Sequence, residues 1–262
     1  MGFKKMMASL GAGGAKVETE LFQADVTPGG VVQGEVRIQG GSVEQRIQGL
    51  TVGLQARVEA TRRDAQGNEV EYHENIEFHT QRIGGEFEIR AGSVHNVQFS
   101  LEVPWETPVT MFMGRHLTGM NVGVTTELAI ARAVDKGDLD PVNVHPLPAQ
   151  NALLDAFGRL GFRFKGADLE KGHAHGTRQR LPFYQEIEFK PGEQYRGLKE
   201  VELTFVADGR QMDVLMEMDK KGLFGGDTYR SFVMDLEAFE QTDWADYLHR
   251  WLAEVGAKRN LF

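Results

Sequence analysis

From residue 50 to residue 61 the chain keeps a strict period of two: Leu50, Val52, Leu54, Ala56, Val58 and Ala60 alternate with Thr51, Gly53, Gln55, Arg57, Glu59 and Thr61. That period belongs to the strand, whose successive side chains point to opposite faces; a helix would scatter these residues around its axis. The run commits this stretch to a sheet dry on one face and wet on the other. The same pattern recurs at Val32/Gly34/Val36/Ile38, at Val97/Phe99/Leu101/Val103 and at Val122/Val124/Thr126/Leu128/Ile130. Asp64 to Asn68, with Gly67, supplies a turn, after which Val70, Tyr72, Ile76 and Phe78 resume the apolar side, with Glu74 as the exception among them. Short strands, frequent turns and no interleaved long helices predict an all-β chain of antiparallel sandwiches.

One piece of punctuation occurs twice: Pro28-Gly29 followed by Gly34, and Pro191-Gly192 followed by Gly197, each leading into alternating apolar residues. Pro presets a turn, Gly accepts positive φ, and the later Gly marks a bulge or a close backbone approach. The copies lie about one domain length apart, too far for a solenoid or propeller repeat, which predicts one β-module used twice. With 262 residues, 41% of them hydrophobic, the chain can fill two cores. Pro141, Pro146 and Pro148 mark an extended, stiff linker between them. The predicted division is therefore a first sandwich over 1–138, a linker over 139–149 and a second sandwich over 150–262. After the linker, strands are expected around Phe162/Phe164, Phe183 to Phe189, Val201 to Phe205, Met212 to Met218 and Phe232 to Leu236.

Three short helices complete the reading. Phe3, Met6, Met7 and Leu10 fall on one stripe; Leu153, Leu154, Phe157 and Leu160 form an inter-domain helix that Gly161 can end. Trp244, Tyr247, Leu248, Trp251, Leu252 and Val255 form a C-terminal amphipathic helix, with Asp243 as N-cap and Gly256 beyond its end.

A formal net charge of −9 repels phosphate backbones and anionic lipid, so nucleic acid is not an expected partner. The absence of cysteine excludes disulfides, a thiol nucleophile and Cys-based zinc sites. Gly11, Gly13 and Gly14 cut the N-terminal apolar run short of a signal-peptide core, and no stretch is long enough to span a membrane. A cytoplasmic location is expected.

Particular stretches carry a family resemblance. The run Val26-Thr-Pro-Gly-Gly-Val-Val-Gln-Gly-Glu-Val-Arg-Ile38, and Phe99-Ser-Leu-Glu-Val-Pro104 followed by Pro108, resemble the first domain of arrestin-like proteins. Phe3 to Leu10, Gly40 to Gln45, Val144-His-Pro-Leu-Pro148, Leu160 to Lys165 and Leu181 to Phe189 resemble, in order and wording, the bacterial sporulation-control family SpoOM. The resemblance implies two tandem arrestin-like, immunoglobulin-like sandwiches and a non-enzymatic regulatory role in sporulation or cell-cycle control through protein contacts. It brings no catalytic motif and no cofactor.

Read residue by residue, the chain offers few chemical leads. His173-Ala-His175, taken as strand-borne, would set two imidazoles on one face as the start of a metal site. No HExxH and no second compact ligand cluster accompanies the pair, so a His-dependent metallohydrolase stands only as a competing reading. Interaction is better supported. Leu223-Phe224 sits in a glycine-rich loop and is a contact site if exposed or core if tucked in. Phe3, Met6 and Met7 could dock on the protein's own body, a partner or a membrane surface, the last giving an alternative reading as a membrane-surface scaffold. Trp244 and Trp251 could cover the protein's own sheet, or meet a partner or a second copy in a homodimer. Glu74, on an otherwise apolar face, could join an inter-domain polar network or mark a ragged strand edge.

Overall fold

The structure is a computed structural model, and it describes residues 8–9, 14–130, 138–220 and 226–257. Its first strands are β1 (Ala8–Ser9), β2 (Lys16–Leu21), β3 (Asp25–Val26), β4 (Val31–Gln39), β5 (Gln45–Arg63), β6 (Glu69–Gly84), β7 (Phe87–Ile89) and β8 (Val94–Glu102). Then come β9 (Met111–Phe112), β10 (Arg115–His116), β11 (Val122–Ile130), β12 (Asp138–Pro141) and β13 (Asn143–Val144). Helix α1 (Pro148–Arg159) leads to β14 (Arg163–Lys171), β15 (Phe183–Lys190), β16 (Leu198–Ala207), β17 (Gln211–Lys220), β18 (Thr228–Asp235) and helix α2 (Trp244–Ala257). These elements form two compact units. One gathers Met1–Arg57, Asn75–Pro104 and Asn121–Val144; the other gathers Val58–Glu74, Trp105–Met120 and His145–Phe262.

The first unit is built from two sheets. One runs β1-β2-β4-β8, antiparallel throughout; the other sets β11 between β12 and the first part of β5, with β7 and the later part of β6 also paired to β5. The period-two alternation of β5 is realised here: Leu50, Val52 and Leu54 are fully buried while Thr51 and Gln55 are not. Val36, Ile38 and Leu101 bury the facing side of the other sheet. A hydroxyl pair crosses between the sheets, Thr19 Oγ1 to Thr126 Oγ1 at 2.7 Å, so two buried polar atoms satisfy each other. The first Pro-Gly turn is pinned through Gly29, at φ 75°, whose N–H donates to the Val103 carbonyl. Gly34 lies where a Cβ would come within 2.6 Å of the Glu20 carbonyl oxygen and 2.8 Å of the Phe99 ring, the close approach its position predicts.

The proline-rich stretch is extended up to the start of α1, and its first part, through Val144, is bound into this unit. β12 pairs with β11 and β13 runs parallel to β3, while Val142 and Val144 are buried. Apolar residues placed between the prolines have a core to enter. At the N-terminus, the predicted stripe of Phe3, Met6 and Met7 lies outside the described residues. Ala8 and Ser9, where that helix would continue, instead pair with Val17 and Lys16 as a strand.

The second unit is a five-stranded antiparallel sheet, β14-β15-β16-β17-β18. One face is apolar, with Phe183, Ile187, Phe189, Val201, Leu203, Met212, Val214, Met216 and Met218 all buried. Helix α1 packs on it through Phe157, whose ring lies 4.9 Å from that of Phe189. The helix opens with Pro148 in its first turn and with Gln150 Oε1 accepting from the Leu147 N–H at 2.7 Å. It closes in a Schellman motif: Gly161 takes φ 80°, its N–H donates to the Gly158 carbonyl and that of Phe162 to Phe157. Helix α2 is capped by Asp243, as expected, and sets Trp244 stacked on Phe232 of β18 at 5.6 Å and Trp251 edge-on to it at 5.4 Å. The second Pro-Gly does not repeat the first turn: Gly192, at φ −71°, precedes a 3-10 turn over Glu193–Tyr195 before β16 begins.

Candidate functional site

The other face of the second unit's sheet is paved with carboxylates, and the strand register explains how. Asp168 of β14 stands opposite Glu186 of β15; Glu188 of β15 stands opposite Glu202 of β16, which stands opposite Glu217 of β17. Glu200 stands opposite Asp219, and Glu170 has Tyr184 on one side and Glu59 of β5 on the other. Like charges directly across a ladder repel. Here the crowding is close: carboxylate oxygens lie within 4.8 Å of one another in three overlapping sets, Asp168/Glu170/Glu186, Glu186/Glu202/Glu217 and Glu188/Glu200/Glu202.

Two features moderate that repulsion. Lys165, beside the bulge that shifts register between Phe164 and Gly166, reaches Glu200 Oε1 at 2.5 Å and Glu188 Oε2 at 3.0 Å. These two carboxylates are 13% and 19% exposed, so the pair is poorly screened by water and the lysine is held above its usual range. The second is retention of protons. Burial, then the neighbouring Glu202, pushes Glu186 up to about 8; burial, then Asp168, pushes Glu170 up to about 7. Burial, then Glu217, pushes Glu202 up to about 7, and burial, then Glu188, pushes Asp168 up to about 6. Glu217 is raised by burial against the opposing hydrogen bond from Tyr229, whose hydroxyl donates to it at 2.7 Å. Chemically the face can store protons near neutral pH, and any of the three carboxylate sets has the oxygen donors a hard divalent cation takes.

Asp213 is a different kind of buried acid. It is 6% exposed and fully partnered: Arg178 Nη2 and Nε reach it at 2.8 to 3.1 Å, and the Arg178 backbone N–H donates at 2.7 Å. The adjacent Gln179 amide accepts from the Ala174 N–H and donates to the carbonyls of Gly172, Leu181 and Phe183. Glu106 accepts from the N–H groups of Arg180 and Leu181. These groups fix the loop between β14 and β15.

That loop carries His173 and His175, so the expectation of a strand-borne pair is corrected: both imidazoles are exposed loop residues flanking buried Ala174. β14 ends at Lys171, before Gly172 at φ 155°, and the buried Gln179 holds the loop that follows through Ala174 and Gly172. Among the described residues neither histidine belongs to a set of three metal-ligating side chains. Glu74 makes an ion pair with Lys171 of β14 in its own unit, at 2.5 Å. Trp244 and Trp251 are half-buried against Phe232, and the Trp244 indole N–H donates to the Phe239 carbonyl. Leu223 and Phe224, like Phe3, Met6 and Met7, lie outside the described residues.

The acidic face escapes a motif search because its members are far apart in sequence. A signal does exist: Asp168/Glu170, Glu186/Glu188, Glu200/Glu202 and Glu217/Asp219 are acid pairs at two-residue spacing in four successive strands. Among the described residues, no helix is long and apolar enough to cross a membrane.

Comparison with known proteins points one way. The chain is 35% identical over 221 residues to the sporulation-control protein spo0M of Bacillus subtilis (strain 168), a match covering 84% of this chain and 81% of that protein. The crystal structure of Spo0M from Bacillus subtilis superposes with a TM-score of 0.79 at 30% identity, covering 93% of this chain and 99% of that one. The family described as SpoOM protein matches residues 3–222. With sequence and fold agreeing over most of its length, this chain belongs to the SpoOM family.

Proposed function

We propose that this protein is a regulator of sporulation or of a related cell-cycle decision, working in the cytoplasm without catalysis and through contacts with other proteins. The observation that carries the reading is the likeness to a sporulation-control protein along nearly the whole chain, both units included. The two units are read as arrestin-like scaffolds, on the wording of residues 26–38 and 99–108. The polar groups around one loop of the second unit suit a scaffold role: Arg178, the buried Gln179 and Glu106 are spent on holding that loop. A test is complementation. A Bacillus subtilis strain lacking its own spo0M is supplied with this chain, and heat-resistant spores are counted. Restoration toward the parental count is expected; a count no different from the empty vector, with the protein present at normal level, would sink the reading.

A further inference from the structure

β9 and β10 form a hairpin of two-residue strands joined by Met113-Gly114, with Phe112 paired to Arg115. Both turn residues have positive φ, 49° and 71°, the signature of a type I′ turn. Asn is the residue that turn prefers before Gly, and a long apolar side chain there is strained. Met113 is also 72% exposed, the most exposed large hydrophobic residue among those described. The backbone strain costs stability, and the exposed apolar side chain returns none of it through burial. Such features persist where the side chain is used.

The hairpin borders a groove of about 600 Å³, closed on its other side by the start of β14. Its floor is aromatic: the Phe112 and Phe164 rings lie 5.4 Å apart, and Phe164 is 40% exposed. Its charged side chains are Arg115 and Lys165, with no carboxylate in the lining, on a chain of net charge −9. Lys165 is occupied by Glu188 and Glu200, whereas the exposed Arg115 makes no ion pair among the described residues. An apolar floor with an uncommitted guanidinium at its rim is complementary to an apolar side chain flanked by carboxylates.

We propose that the groove between the Met113-Gly114 hairpin and β14 docks an acidic segment of a partner protein, with one of that segment's apolar side chains seated on Phe112 and Phe164. The inference rests on the reading of the protein as a contact regulator and names the surface used. Methionine suits the lip of such a groove because its flexible thioether adapts to the seated side chain.

The test uses the full chain and two fluorescein-labelled peptides, Gly-Ser-Asp-Glu-Phe-Asp-Leu-Ser-Gly and its counterpart with lysine at each acidic position, followed by fluorescence anisotropy. Saturable binding of the acidic peptide is expected, weakened by at least about tenfold in Arg115→Glu and in Met113→Asn, and by added salt. Met113→Asn suits the turn, so its loss of binding cannot be ascribed to unfolding. No saturable binding below about 1 mM, or equal binding of the lysine peptide, would overturn the proposal. Sedimentation that shows a dimer turned to monomer by Arg115→Glu would identify a second copy as the occupant and overturn it too. The spore count separates this inference from the one beneath it: if both variants complement as well as the parent chain, the groove is wrong and the regulatory reading stands. If the parent chain fails to complement, the regulatory reading falls and the peptide result alone decides the groove.

Discussion

Glu186 is directly opposite Asp168, and its carboxylate crowds those of Glu202 and Glu217 as well. Its proton is held to about 8 because burial and these neighbours both disfavour the charge. Replacing it by Gln removes a titration and leaves the shape. Glu186→Gln is expected to raise stability at pH 9 by on the order of 1–2 kcal/mol and to change it little at pH 5, measured by urea denaturation at both values. Met113 offers the opposite case, a residue disfavoured by its own backbone. Met113→Asn is expected to stabilise the fold by about 0.5–1 kcal/mol, and an unchanged or lowered urea midpoint would show that the turn is not strained. Neither effect is legible in the sequence. Glu186 reads as one polar position of an alternating strand because its meaning depends on register with neighbours far along the chain, and Met-Gly lacks the Asn or Asp that marks such a turn.

At the scale of elements the sequence is far more explicit. The strands of both units follow from period-two runs, since burying one face of a pleated ribbon demands that spacing and little else. The ends of α1 are equally legible: Pro148 starts it and Gly161 stops it, for the reason that glycine alone adopts φ 80° without strain. Gly161→Ala is expected to cost about 1–2 kcal/mol in chemical denaturation, with Gly158→Ala, where a Cβ meets nothing, as a neutral or stabilising control. What could not be read was pairing between distant segments. The stretch from 138 to 148 looks like a linker because proline favours extension, yet extended backbone also fits a sheet edge, and β12 and β13 occupy one each. His173 and His175 look strand-borne because the preceding residues are; the buried Gln179 amide that organises their loop gives no periodic signal. The four acid pairs on successive strands were visible, but their convergence needed the order β14-β15-β16-β17.

For the whole molecule, the acidic face makes stability depend on pH in a direction unusual for carboxylates. Asp168, Glu170, Glu186 and Glu202 each bind a proton more tightly folded than unfolded. The stability they contribute is fully present below the unfolded carboxylate range, roughly pH 4.3, and is lost as pH rises through their folded values. Those values run from about 6 to about 8. In strong acid the linkage reverses, because Asp208, held below its ordinary range by the N–H groups of Gln211 and Arg210, must then be protonated. A melting temperature that peaks near pH 5 and falls steadily to pH 9 is expected; a flat profile from pH 6 to 9 would contradict it. Over that same interval the second unit gains negative charge, so any partner surface that meets the sheet is met by a face whose charge follows pH. The most direct test is a carbon-detected NMR titration of the side-chain carboxyls in the folded protein. Midpoints near 8 for Glu186, near 7 for Glu170 and Glu202 and near 6 for Asp168 are expected. Midpoints for all four at the ordinary carboxylate value, about 4, would show that the face is fully ionised at neutral pH and holds no protons.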